Sequence, residues 1–87
     1  MIEMSETDLP SAERLLISLR TLRATSGNRA RKSEELAHIL QTNIDEINQN
    51  LDQHIHGRYV AFFYDSQEHR RFYLTNTGII RVCALFS

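Results

Sequence analysis

A change of period inside residues 33–75 constrains this chain more than any other feature. Up to Gly57 the apolar residues return at three- and four-residue steps, the repeat of one buried helical face. Beyond it Tyr, Val and Phe crowd on both sides of the polar run Asp65-Ser66-Gln67-Glu68-His69, as in two strands joined by a hairpin tip. Leu36, Ala37, Ile39 and Leu40 predict a helix of about two turns, with Ser33 as its N-cap. Glu34 and Glu35 suit its positive end. Gln41-Thr42-Asn43 makes a turn, and Asn43 with Glu46 has the spacing of a capping box. Ile44, Ile47, Leu51 and Ile55 then mark one face of a third helix that ends near Gly57. The strands are predicted over 58–65 and 70–74, with Val60, Phe62, Phe72 and Leu74 facing the core. Alternation alone also permits a register one residue off.

The flanks add two helices. Residues 1–10 lack a period and are expected to form a flexible tail, leaving 11–87 as the folded domain. Pro10 and Ser11 open a helix whose inner face is Ala12, Leu15, Leu16, Leu19 and Leu22. Ile17 falls off that face and is a candidate for a dimer contact. Ser26-Gly27-Asn28 is expected to stop the helix, and Arg29-Ala30-Arg31-Lys32 to connect it to the next. Thr75 reads as the N-cap of a last helix over 76–86, with Ile79, Val82, Cys83 and Phe86 inward and Ile80 and Leu85 off that face. Its β-branched residues leave a strand open as the alternative.

Eighty-seven residues make one small domain, which buries only part of its surface and gains from a second copy. Ten basic against eleven acidic residues give a net charge of -1. A nucleic-acid binder of this balance must gather its cations on one side. Nine of the ten cations are Arg, the side chain suited to bidentate contacts with phosphate or guanine. A single cysteine, Cys83, excludes an internal disulfide and fits a reducing cytoplasm. The first residues are polar and acidic, so no signal peptide is expected. The apolar run near the C-terminus is broken by Arg81 and is too short for a membrane span. His38, His54, His56, His69 and Cys83 form no Cys-x-Cys or His-x-x-x-His ligand pair, so no metal site is expected. No Gly-rich phosphate loop, nucleophile elbow or acid–base pair is present, so neither an enzyme nor a cofactor is expected. The aromatics Tyr59, Phe62, Phe63, Tyr64, Phe72 and Tyr73 read as core and cross-strand pairs rather than base-stacking platforms.

Three stretches carry a resemblance. Ser33-Glu34-Glu35-Leu36-Ala37 resembles the start of the second helix in winged-helix regulators. Ile47-x-x-x-Leu51 followed by Gly57-Arg58-Tyr59-Val60 resembles the end of their recognition helix and the start of the wing. Tyr73-Leu74-Thr75-x-x-Gly78 looks like the close of the wing. Together, over residues 12–86, these are similar to the small winged helix-turn-helix repressors of bacteria and archaea, of the arsenical-repressor or multiple-antibiotic-resistance type. The resemblance implies an α+β winged helix: a three-helix core with a helix-turn-helix, a two-stranded β wing and a C-terminal helix.

It also implies double-stranded DNA as partner, with the third helix in the major groove. Asp45, Glu46, Gln49, Asn50 and Gln53 would form the reading face, where Gln and Asn can pair with adenine. Arg29, Arg31, Lys32, Arg70 and Arg71 would hold phosphates, with Ser33 and Asn43 at the adjoining helix starts. Arg70 and Arg71 are neighbours on a strand and point to opposite faces. Asp45 and Glu46 have a stronger reading as capping and dipole partners than as base contacts. The expected protein is a cytoplasmic transcriptional regulator, homodimeric through Ile80 and Leu85 of the last helix, with Ile17 as a further contact. The alternative is a winged-helix protein–protein interaction module, a small subunit or adaptor of transcription or replication machinery. The near-neutral charge and the acidic start of the third helix favour that alternative.

Overall fold

The computed structural model describes residues 10–86; the tail expected over 1–10 lies outside them except for Pro10. Four helices and one hairpin follow in the expected order: α1 (Ser11–Thr21), α2 (Ser33–Leu40), α3 (Ile44–His56), β1 (Val60–Tyr64), β2 (Arg70–Leu74) and α4 (Asn76–Leu85). A short 3-10 turn, Gly27–Arg29, lies between α1 and α2. This is the winged-helix arrangement. The last segment is a helix and not a strand, with Thr75 Oγ1 accepting the Gly78 N–H at 3.0 Å.

The strands pair antiparallel in the register Val60 to Leu74 and Phe62 to Phe72, which sets the side-chain parity as expected. Val60, Phe72 and Leu74 are buried; Phe62 shares their face but is 37% exposed, although its cross-strand partner Phe72 is fully buried. The segment expected to be a plain connector is part of the sheet. Arg31 N–H donates to Phe72 O at 2.9 Å and Phe72 N–H to Arg31 O at 2.8 Å. Leu74 N–H donates to Ala24 O at 2.7 Å. The chain from Ala24 to Arg31 therefore covers the edge of β2 that would otherwise stand open.

Leu15, Leu16, Leu19, Leu36, Ile47, Leu51, Phe72, Leu74 and Val82 fill the core from all four helices and the sheet. Ile17 joins them at 3% exposure, so it is a core residue and not the dimer contact expected of it. On α4, Cys83 and Phe86 are exposed, not inward, while Leu85 packs against the core and is not off the inner face. Only Ile80, at 69% exposure, stands out from α4 as predicted. The helix meets the core with Ile79, Val82 and Leu85, a narrower stripe than the expected one.

α3 ends beside Gly57 as expected, whereas α1 ends at Thr21, ahead of the expected stop at Ser26-Gly27-Asn28. Arg23, Gln41 and Arg58 have φ of 58°, 54° and 67°, and no described glycine has positive φ. Each follows a helix, and each pair of closing bonds is of the Schellman type. Ala24 N–H donates to Leu19 O at 2.9 Å, Thr42 N–H to Ala37 O at 3.0 Å and Tyr59 N–H to His54 O at 2.9 Å. α2 begins at Ser33 itself, so Ser33 is its first residue and not its cap; Glu35 Oε1 accepts the Lys32 N–H at 3.3 Å.

Gly78 has a different reason to be glycine. A Cβ there would lie 2.2 Å from Tyr59 O and 2.6 Å from Leu74 Cδ1. Its bare backbone lets α4 lie directly on the base of the wing, where Thr75 N–H donates to Tyr59 O at 3.0 Å. In an exposed helix Gly→Ala gains about 1 kcal/mol. At this site overpacking reverses the sign, and Gly78→Ala is expected to destabilise the fold by about 1–3 kcal/mol in urea titration.

Candidate nucleic-acid interface

α3 is placed by two sets of contacts. Asn43 Oδ1 caps its start by accepting the Glu46 N–H at 2.8 Å, as the spacing predicted. The Glu46 carboxylate does not return the bond in capping-box fashion. It accepts from Ser11 Oγ at 3.2 Å and from the Thr42 hydroxyl. Asn50 Nδ2 donates to the same Ser11 Oγ at 3.2 Å, and His54 Nε2–H donates to Ala12 O at 2.8 Å. Glu46, Asn50 and His54 lie at i, i+4 and i+8, so a polar ladder on α3 grips the first turn of α1.

This ladder removes Asn50 from the reading face. Asn50 is 9% exposed and His54 7%, and both point toward α1. The sequence did hold a signal: Asn50 and His54 each follow a core residue, Ile47 and Leu51, by one helical step of three. Burial pushes the His54 imidazole below its ordinary pKa, against a smaller opposing pull from the Ala12 hydrogen bond.

The solvent side of α3 presents Asp45, Gln49, Asp52, Gln53 and His56, all exposed. Gln49 and Gln53 stand where the sequence placed them. Asp52, seven residues after Asp45, belongs to the same face and was not anticipated there. Beside it an open concavity of about 620 Å³ is lined by Asn43, Asp45, Glu46, Asn48, Gln49 and Asp52. Asn48 Oδ1 is buried without a hydrogen-bond partner among the described residues. The surface is thus rich in acceptors and carries two exposed carboxylates.

The expected phosphate contacts are divided between engaged and open side chains. Arg70 Nη1 lies 3.6 Å from Asp52 Oδ1, and its guanidinium stacks 5.0 Å from the Phe72 ring centroid and 5.3 Å from that of Phe62. Arg71 Nε donates to Asp65 Oδ2 at 2.9 Å, on the opposite face of the strand. Asp65 Oδ1 also accepts the Gln67 and His69 N–H groups at 2.9 and 3.0 Å, which shapes the hairpin tip. The Arg71 bond and these amides hold the Asp65 carboxyl at about 2. Arg31 Nη1 lies 3.2 Å from Glu35 Oε2. Arg29 and Lys32 pair with no carboxylate among the described residues, and Arg29 is exposed. The geometry joins Lys32, Ser33 and Arg31 to the wing, because the Arg31 bridge sets them beside Phe72 and Arg71. No group of three or more potential metal ligands gathers among the described residues.

The fold has known counterparts. It is similar to MepR, a transcription regulator of the Staphylococcus aureus multidrug efflux pump MepA, with a TM-score of 0.74 and 19% identity over 91% of this chain and 56% of that one. MepR in its DNA complex aligns with a TM-score of 0.70 and 20% identity, over 91% and 63% of the two chains. The DNA-binding TubR fragment from Clostridium botulinum aligns with a TM-score of 0.75 and 15% identity, over 97% and 99%. The chain spans little more than half the length of the MepR chains it matches. No protein-family model and no curated protein sequence matches it. At these identities the likeness establishes the winged-helix fold.

The buried His54 gives a pH test of the α1–α3 contact. Its folded pKa lies below 6.5, so the unfolded chain binds the proton first as pH falls. That contribution is complete above about 6.5 and is lost as pH drops through the folded value. Urea titrations from neutral to mildly acidic pH should show this decline. His54→Gln, which keeps a donor for Ala12 O but cannot titrate, should flatten it.

Proposed function

We propose that this protein is a DNA-binding transcriptional regulator of winged-helix type, without enzymatic activity. The observation that carries the reading is the fold itself. α3 presents the exposed amides Gln49 and Gln53, and the cations before α2 adjoin the wing, in a structure similar to DNA-bound MepR and to the DNA-binding TubR fragment. In this reading α3 enters the major groove. Gln49 and Gln53 face base edges, while Arg29 and Lys32 bind phosphate and position the domain. Arg31, Arg70 and Arg71 contribute by exchanging their carboxylate partners for phosphate from ion pairs that are partly exposed.

Ile80 is the side chain on which a homodimer of this chain would be built, because it is 69% exposed on α4 while Leu85 is committed to the core. Two-fold symmetry would place two α3 helices on successive half-sites. Localisation in the cytoplasm accords with this role. Among the described residues no helix is long and apolar enough to cross a membrane.

One observation favours the alternative, a protein-docking winged helix. Asp45 and Asp52 make the α3 face acidic, and a basic protein segment would suit it better than phosphate does.

Fluorescence anisotropy on mixed duplex DNA separates the two. The expected result is salt-sensitive binding, and replacing both Arg29 and Lys32 by Ala should lower the salt slope by about 2, one unit per lost phosphate contact. Absence of binding at low salt would sink the DNA reading and leave the protein-docking one. For the dimer, sedimentation should give twice the chain mass, reduced toward one by Ile80→Glu; a wild-type monomer at tens of micromolar, roughly, would remove this part of the proposal.

A further inference from the structure

Three arginines meet in a hollow beside the base of the wing. Arg20 ends α1, Arg23 follows it in the left-handed backbone conformation, and Arg29 closes the 3-10 turn. With Thr25, Ser26 and Ile79 they line an open concavity of about 610 Å³. All three are exposed, and none pairs with a carboxylate among the described residues. Of the other described arginines, Arg31, Arg70, Arg71 and Arg81 each hold a carboxylate, while Arg14 and Arg58 pair with none among the described residues but line no part of this hollow. In a protein of net charge -1, gathering three guanidinium groups in one hollow is unfavourable unless an anion joins them.

The hollow is shaped for an oxyanion. Guanidinium forks match phosphate in bidentate fashion, and the Thr25 and Ser26 hydroxyls supply further donors. The position is fixed by the backbone. Leu74 N–H to Ala24 O ties this corner to the base of the wing, whereas Arg70 to Asp52 ties α3 to its outer end. Arg70 and Leu74 are four strand residues apart, roughly 13 Å at the usual rise. Arg29 is shared with the duplex phosphate contacts proposed above, whereas Arg20 and Arg23 have no part in them.

We propose that Arg20, Arg23 and Arg29, with the Thr25 and Ser26 hydroxyls, form a phosphate-binding site at the junction of α1, the 3-10 turn and α4. The site takes a phosphate group, carried by a small molecule or by a second nucleic-acid segment. It stands whether or not α3 reads DNA. Because Ile79 of α4 lines the same hollow, an anion there touches the helix that carries Ile80.

The test uses the full chain and inorganic phosphate, followed by the arginine Nε–H resonances in NMR at constant ionic strength set with chloride. Saturable shifts of the Arg20, Arg23 and Arg29 signals are expected, and Arg20→Gln with Arg23→Gln should weaken binding by roughly tenfold or more. Arg20→Lys with Arg23→Lys keeps the charge and the helix-end interaction but loses the fork, and should weaken binding to a smaller extent. A second arm adds short duplex DNA to the phosphate-loaded chain. Displacement of phosphate at the Arg20 and Arg23 signals, which the duplex contacts proposed for α3 do not involve, identifies a nucleic-acid backbone as the source; retention identifies a soluble phosphate compound. No saturable shift, or equal affinity in the Gln variant, overturns the site and marks the arginines as partners of the α1 C-terminus alone.

Discussion

Two antiparallel strands of five residues do not hold together alone in water, and this fold is arranged around covering them. Phe72 is the centre of that cover. It is fully buried, pairs with Phe62 across the hairpin, and exchanges two backbone bonds with Arg31 on its other side. The Arg31 bridge turns a ribbon into a short three-stranded edge, and Ala24 O extends it to Leu74. The placement of the cations before α2 follows from this. α2 starts two residues after the bridge, so its first turn and Lys32 are set beside the wing rather than left on a free loop.

A second constraint fixes α3. Its inner side is apolar at Ile47 and Leu51 but polar at Glu46, Asn50 and His54, which hold the first turn of α1. Such buried hydrogen bonds specify one rotation of the helix, since a slip would leave each of them unpaired. That rotation in turn decides what faces outward. Asp45, Gln49, Asp52 and Gln53 are exposed because their neighbours are held, and the acidity of the face is a result of this packing choice. The wing arginines then moderate it, Arg70 by standing against Asp52.

Element order is legible in the sequence, because it rests on apolar periodicity and on caps with short-range chemistry, while alternation alone leaves the strand register open by one residue. Asn43 and Thr75 act as the spacing says they should. What is not legible is long-range polar pairing. Asn50 reads as a surface amide until Ser11 is brought beside it, and they are 39 residues apart in the chain. The same holds for Arg31, whose backbone role depends on Phe72. On α4 the error is one of angle. Ile79 and Val82 of the predicted stripe do meet the core, but Leu85 joins them where Cys83 and Phe86 were expected. Among the phosphate candidates, residue type was readable and partnership was not, since Asp52, Asp65 and Glu35 reach their arginines only in the folded chain.

The three left-handed residues at helix ends carry a consequence for how this sequence tolerates change. Arg23, Gln41 and Arg58 occupy a conformation that glycine adopts without steric cost. Each is therefore a position where the smallest side chain would relax the backbone, and where a β-branched one would be excluded. Natural variants at these three sites should accordingly run toward Gly and Asn and away from Val, Ile and Thr, even though all three lie at the surface. Where a long polar side chain persists against that drift, selection is acting on the side chain itself, and Arg23 is the position at which such persistence would be most informative.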